Sequence, residues 1–120
     1  MDLYFRDGMH KKLFEDIKRT VDLNTENKGL FAAVYLVCCS KEFDMMGRFI
    51  DIGNQKIYFE DLIDSFDFEE FDREDQEILK LAAALYNGYS CDVHQCFKEI
   101  KGDSLKAAVE ALTFRYGLQE

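Results

Sequence analysis

The feature that most constrains this chain is an apolar stretch of ten residues, LFAAVYLVCC, at positions 30–39. Because it is apolar on nearly every face, it predicts a helix that other elements surround, not an amphipathic surface helix. Ten residues fall well short of the roughly 20 that a membrane-crossing helix requires. We therefore expect a central buried helix in a soluble protein, beginning after an N-cap at Asn24 or Thr25.

Length and composition favour a single domain over residues 1–120. With 48% hydrophobic residues and no linker-like stretch, the chain can bury a core of its own. The opening residues, MDLYFRDGMHKK, lack the charged region and apolar run of a signal peptide. Cys38 and Cys39 lie inside the apolar stretch, where thiols usually behave as small buried hydrophobes. These features predict a cytoplasmic protein that does not associate with membranes.

A first helix and a small hairpin are predicted on either side of the central helix. Asp7 is a suitable N-cap, and apolar side chains then recur every four residues as far as about Thr20. This stripe comprises Met9, Leu13, Ile17 and Val21. After the central helix, two β-prone pieces at residues 49–52 and 56–59 flank Gly53-Asn54-Gln55 and predict a hairpin.

A longer helix is predicted from Asp72, a suitable N-cap with Asp75 three residues further on. Asn87-Gly88 is its stop signal. Its apolar stripe comprises Ile78, Leu81, Ala82, Leu85 and Tyr89. One helical turn is also expected just before it, around residues 61–65.

Two further helices complete the prediction. A short one starts at Ser90 or Asp92 and ends at Gly102, and the last one is capped by Ser104 and closed by Gly117. The short helix is expected to bury Val93, Phe97 and Ile100. The apolar stripe of the last helix comprises Leu105, Ala108, Val109, Leu112 and Tyr116. The predicted fold is mainly α, with about five helices around a buried central helix and one small β-hairpin, which makes it α+β by strict count.

The net charge of −9 is concentrated in one segment. Residues 60–77, EDLIDSFDFEEFDREDQE, contain ten acidic side chains and one basic side chain, Arg73. The rest of the chain carries equal numbers of acids and bases. We call residues 60–77 the acidic segment. Its charge disfavours direct binding of nucleic acid or of an anionic membrane.

Two interpretations of the acidic segment are open. In the first, its phenylalanines interleave with carboxylates to form a docking surface for a partner with a basic groove. In the second, the phenylalanines face the core and the acids are an ordinary solvated face, which is the commoner role of a charge run. The residues of the predicted docking surface are Asp64, Asp67, Phe68, Glu69, Glu70, Phe71, Asp72, Glu74 and Asp75. Ile63 and Phe66 interleave with the same carboxylates.

Motifs of catalysis and of metal binding are missing. The sequence has no G-x-S-x-G elbow, P-loop, G-x-G-x-x-G or H-E-x-x-H motif, and its two histidines, His10 and His94, lie in no catalytic setting. Cys91 and His94 share a predicted helix face, but Cys96 points elsewhere and a fourth zinc ligand is not evident. The acidic segment has no glycine for a calcium loop. We expect no catalytic residue, no metal and no cofactor.

Two short runs resemble a known family. YFRDGMH at residues 4–10, followed by Leu13-Phe14, resembles the opening of a small uncharacterised family from Gram-positive bacteria and their phages and mobile elements. LYNGY at residues 85–89 also resembles it. The resemblance implies no catalytic residues. It implies the genomic neighbourhood of phage-borne inhibitors, including anti-CRISPR proteins, some of which present carboxylates in place of nucleic-acid phosphates.

Together these features predict a non-catalytic acidic protein that inhibits a nucleic-acid-handling defence enzyme, as an anti-CRISPR of a Cas nuclease does, by occupying a basic groove. The expected partner is a basic nucleic-acid-binding protein such as an RNA-guided nuclease, and the chain itself is expected to be a monomer or small homo-oligomer. An alternative is a structural adaptor or oligomerising subunit of a mobile-element complex. A third hypothesis is a metal-dependent hydrolase that uses some of the clustered carboxylates.

Overall fold

Seven helices and one two-stranded antiparallel hairpin form the part of the chain that the structure, a computed structural model, describes: residues 3–21, 23, 26–41, 47–51 and 54–117. The elements in chain order are α1 (Gly8–Val21), α2 (Lys28–Cys39), β1 (Ile50–Asp51), β2 (Lys56–Ile57), α3 (Phe59–Ile63), α4 (Phe66–Glu70), α5 (Arg73–Asn87), α6 (Val93–Glu99) and α7 (Gly102–Tyr116). The predicted class, mainly α with a small hairpin, is confirmed. The two helices beyond the predicted five, α3 and α4, are five residues each, and α3 overlaps the helical turn predicted around residues 61–65.

The apolar stretch forms the central helix, as predicted. Every residue of α2 from Gly29 to Cys39 is buried. Asn27 is its N-cap, and the Asn27 side-chain oxygen accepts a hydrogen bond from the Leu30 backbone N–H at 3.2 Å. The predicted caps Asn24 and Thr25 lie outside the described residues.

Three helices, α1, α5 and α7, pack around α2. On α1, the rings of Phe14 and Phe31 have centroids 5.1 Å apart. On α7, the ring of Phe114 stacks on Phe31 at 4.3 Å. The C-terminal end of α5 meets the first turn of α2, where a Cβ on Gly29 would lie 3.1 Å from the Leu85 carbonyl oxygen. α6 packs on the outer side of α5.

The predicted stripe of α7 is correct only in part, since Ala108 is buried and Leu112 packs against the core but the other three residues are exposed. The face that packs on α2 and α5 comprises Ser104, Ala107, Ala108 and Ala111. Leu105, Val109 and Tyr116 are instead 37%, 51% and 59% exposed. Alanines let the α7 backbone approach α2 closely, and larger side chains at this interface would hold the helices apart. The predicted cap is wrong, since Lys101 is the N-cap and Ser104 lies inside the first turn.

Smaller corrections concern α1 and α6. Met9 is 61% exposed, and α1 instead buries His10 and Phe14 together with Ile17. Val93 is 66% exposed, and the residue that α6 buries is Cys96. Gly102 begins α7 and does not end α6.

Several local stop and cap signals were predicted correctly. The Asp7 side chain accepts a hydrogen bond from the His10 backbone N–H at 2.9 Å, at the start of α1. Asp92 accepts from the Gln95 backbone N–H at 3.2 Å, at the start of α6. Gly88 ends α5 with a φ of 80°, a left-handed conformation that favours glycine.

The hairpin is shorter than predicted. Ile50 pairs with Ile57 and Asp51 pairs with Lys56. The second strand ends early because Phe59 begins α3, and residues 52–53 lie outside the described residues. Within the part of the chain that the structure describes, no helix has both the length and the apolar character needed to cross a membrane.

Candidate docking surface

The acidic segment comprises most of α3, all of α4 and the start of α5, and the chain turns between α3 and α4 at Ser65. The Ser65 hydroxyl donates a hydrogen bond to the Leu62 carbonyl oxygen at the end of α3, at 2.7 Å. The same hydroxyl oxygen accepts from the Phe68 backbone N–H at 3.4 Å, which caps α4. α3 buries its own residues Phe59 and Leu62, and α4 buries Phe68. These apolar residues fix the two helices to the core, and most of the acids face solvent.

Phe68 and Phe71, which the sequence suggested as docking anchors, belong to the core. They are 4% and 7% exposed, and their ring centroids lie 5.7 Å apart. The second interpretation of the acidic segment is therefore correct for these two residues. Phe66 is different, since it is 92% exposed. Positions 66 and 68 are about 200° apart around a helix, so burying Phe68 directs Phe66 into solvent.

Six carboxylates of the acidic segment are exposed. They are Glu60, Asp61, Asp64, Glu69, Glu70 and Asp72. No cationic side chain among the described residues lies within ion-pairing distance of any of the six. Four of the nine predicted docking residues, Asp64, Glu69, Glu70 and Asp72, are in this set. The six carboxylates therefore give this side of the molecule a negative field that the protein itself does not neutralise.

Three other predicted docking residues have partners inside the protein. Asp67 forms an ion pair with Arg48. The Glu74 carboxylate accepts hydrogen bonds from the backbone N–H of Lys101 at 3.1 Å and from the Ser104 hydroxyl at 3.4 Å. These two carboxylates therefore tie the acidic segment to the region before β1 and to the start of α7.

Asp75 is the third residue with an internal role. It is 1% exposed, and one of its oxygens accepts a hydrogen bond from the Lys41 backbone N–H at 3.2 Å. Its other oxygen has no hydrogen-bond partner among the described residues. Burial raises the pKa of the Asp75 carboxyl, and the Lys41 backbone N–H opposes that shift. Asp75 contributes to the interior of the fold and not to an exposed surface.

Cys96 and His94, which the sequence disfavours as zinc ligands, differ in burial. Cys96 is fully buried with its thiol 3.9 Å from the Glu77 carbonyl oxygen, whereas His94 is exposed. Burial raises the pKa of Cys96 to about 12, so its thiol stays protonated at neutral pH. Among the described residues, no group of three histidine, cysteine or acidic side chains is placed to hold a metal ion.

The motif at residues 4–10 is a structural anchor whose role the sequence did not reveal. The Arg6 backbone N–H donates to His10 Nδ1 at 3.0 Å, so Nε2 carries the proton and donates to the Tyr35 carbonyl oxygen at 2.8 Å. The Tyr35 hydroxyl donates to the Tyr4 carbonyl oxygen. Burial lowers the pKa of His10 to about 4, so the ring is neutral at pH 7. The signal in the sequence was the three-residue spacing from the cap Asp7 to His10.

Comparisons of the chain with protein-family models, with curated proteins and with solved structures each give no match.

Proposed function

We propose that this chain is a non-catalytic binding protein whose acidic segment occupies a basic groove of a nucleic-acid-handling enzyme. The observation that carries the proposal is the set of six exposed carboxylates without internal cations, which lie on or next to the two short helices, of which α4 also exposes Phe66. Carboxylates that neither cap the fold nor pair within it are free to meet lysine and arginine side chains of a partner.

Electrostatics and apolar burial act together in this proposal. A groove that binds nucleic acid is lined with cations, and six carboxylates match the charge of a short run of phosphates. Covering the exposed ring of Phe66 contributes about 2–3 kcal/mol of hydrophobic free energy, which carboxylates alone do not supply. Phe66 thus takes the anchoring role that the sequence suggested for Phe68 and Phe71.

The class of partner follows from the same charge pattern and from the family resemblance. The runs YFRDGMH and LYNGY resemble a family from Gram-positive bacteria and their phages and mobile elements. That resemblance implies the genomic neighbourhood of phage-borne inhibitors. The proposed target is an RNA-guided nuclease, whose guide and target channels are strongly basic. The protein would act in the host cytoplasm as an anti-CRISPR inhibitor, in the place of a nucleic acid.

The test is competition between the chain and a labelled target duplex for a purified RNA-guided nuclease loaded with its guide. Competition should weaken steeply as NaCl rises from about 0.05 to about 0.3 M, because exposed charges are screened. The variant Asp64→Lys/Glu69→Lys/Glu70→Lys/Asp72→Lys should not compete. Phe66→Ala should compete at least tenfold more weakly.

A matched control separates the surface from net charge. Glu70→Lys and Glu15→Lys change the charge equally, and both positions are exposed, but Glu15 lies on α1. Only Glu70→Lys should weaken competition. Equal weakening of competition by both variants would show that the overall charge of the chain, and not the acidic segment, determines binding. Full competition by the fourfold variant would exclude the acidic segment as the binding surface.

A further inference from the structure

The helix α7 buries its alanines and leaves several larger apolar residues exposed. Ala107, Ala108 and Ala111 are buried against the rest of the fold. Val109 and Tyr116 are more than half exposed, and Leu105 is 37% exposed. An apolar face left in solvent contributes nothing to folding, so its hydrophobic free energy is available to a partner.

The spacing of these residues is that of a helix-packing seam. Leu105, Val109, Leu112 and Tyr116 are separated by four, three and four positions, which places them within an arc of about 60°. Leu112 is half-buried and joins the seam to the core. Alternating steps of three and four are typical of the contact line between two packed helices.

Charge favours a second copy of this chain as the occupant. The charged residues of α7 are Asp103, Lys106, Glu110 and Arg115, so the helix is neutral overall. The negative excess lies in the acidic segment, and the rest of the chain has balanced charge. α7 is therefore a face where two molecules of charge −9 can meet without local repulsion between them.

We propose that two copies of the chain associate through α7 about a two-fold axis, with the two helices antiparallel. Such an axis between Val109 and Leu112 places Val109 against the partner's Leu112 and Leu105 against the partner's Tyr116. An isologous contact of this kind uses the same four residues on both copies and closes at two subunits. Antiparallel helices also place the positive end of one dipole beside the negative end of the other.

The dimer is weak because the seam is short. α7 is about 22 Å long, and four side chains cover less than the roughly 800 Å² per subunit that a standard interface buries. A dissociation constant of about 10–100 µM is the expected range. This self-association is what the alternative function, an oligomerising subunit, would require, and it uses a surface separate from the acidic segment.

Sedimentation velocity of the full chain at about 5 to 500 µM tests the proposal. The average mass should rise from 14.0 kDa towards twice that value and should stay raised in about 1 M NaCl, since apolar contact is not screened. Val109→Asp should weaken association at least tenfold. Its matched control is Met9→Asp, on the 61% exposed residue of α1, which should dimerise like the wild type.

Tyr116→Ser is a second substitution in the seam, so that the test does not depend on the folding of Val109→Asp alone. Far-ultraviolet circular dichroism should show native helicity for each variant. A wild-type chain that stays monomeric at the highest concentration would overturn the proposal, and so would dimerisation of Val109→Asp at wild-type strength. Glu70→Lys should retain dimerisation, and Val109→Asp should retain competition for the nuclease. The dimer and the docking surface can therefore fail independently.

Discussion

The N-terminal motif at residues 4–10 and the acidic segment at residues 60–77 differ in where their polar groups find partners. In the motif, the cap formed by Asp7 and both ring nitrogens of His10 are hydrogen-bonded within the protein. The Phe5 ring packs edge-on against His10, with centroids 5.1 Å apart. In the acidic segment, six carboxylates face solvent without an internal cation among the described residues.

This difference separates two kinds of polar residue. Buried polar groups that are all satisfied specify how the chain packs, and losing one leaves its partner unpaired. Solvated carboxylates of one sign repel each other slightly and do not stabilise the fold. The hydrogen-bonded groups of the motif therefore have a role in folding, although the buried Arg6 Nη1 has no hydrogen-bond partner among the described residues. The exposed acids have no such role in the fold. Substitutions in the two regions should accordingly have very different effects on stability.

The largest expected effect is at Phe68, inside the acidic segment. Phe68→Ala should lower the free energy of unfolding by about 3–5 kcal/mol, because it empties a buried ring position. Phe66→Ala, two residues away, should change it by less than about 0.5 kcal/mol, because that ring is in solvent. Urea unfolding followed by circular dichroism measures both. Similar losses for the two variants would contradict the division between core and surface.

His10→Ala should be nearly as damaging, at about 3 kcal/mol. It leaves the Arg6 N–H and the Tyr35 carbonyl oxygen without their partner and opens a cavity among the aromatic rings of Phe5 and Tyr35. The matched control is His94→Ala, which removes the same side chain from an exposed position and should be nearly neutral. Comparable destabilisation by both variants would show that the motif is not an anchor.

The fold was predictable where local signals decide it. An apolar stretch with no charged face has to be buried, so the central position of α2 followed from composition. Asp7, Asp92 and Gly88 act on backbone groups a few residues away, so their roles could be predicted from spacing. The face of α7 that packs inward could not be predicted, because side-chain size favours Leu105 and Val109 for the core but close helix packing selects alanines.

The site was predictable as a segment but not residue by residue. Asp67, Glu74 and Asp75 find their partners on Arg48, Lys101 and Lys41, which are distant in sequence and adjacent only after folding. The directions of Phe66 and Phe68 depend on the break between α3 and α4 at Ser65. A run of acids therefore predicted the charge of the surface, whereas tertiary contacts determined which carboxylates remain free.

Acidification should weaken the fold through His10. The folded pKa of about 4 lies below the ordinary value of 6.5, so the unfolded chain binds the proton more readily. Stability is full above about pH 6.5 and falls as the pH drops through the folded pKa, by up to about 3 kcal/mol. Arg6, Asp7 and Tyr35 surround the ring. Asp75 opposes this trend, because its raised pKa favours the folded state as that carboxyl protonates.

Unfolding free energies at about pH 7, 5.5 and 4.5 check the sign of this effect. His10→Ala should reduce the slope between those pH values, since it removes the group that takes up the proton on unfolding. A slope unchanged by His10→Ala would place the acid sensitivity elsewhere. Nuclear magnetic resonance gives a direct readout, since the His10 ring signals should not shift between about pH 7 and 5.5.

The smallest expected effect is the neutralisation of free carboxylates. Asp64→Asn/Glu69→Gln/Glu70→Gln should change the free energy of unfolding by less than about 1 kcal/mol, upwards at low salt because repulsion is relieved, and by nothing measurable at about 1 M NaCl. Glu74→Gln removes one charge from a carboxylate that is hydrogen-bonded to Lys101 and Ser104, and it should cost about 1 kcal/mol at either salt concentration. If the triple variant were clearly destabilised at high salt, the exposed acids would have a role in folding. Their exposure would then no longer support the proposed docking surface.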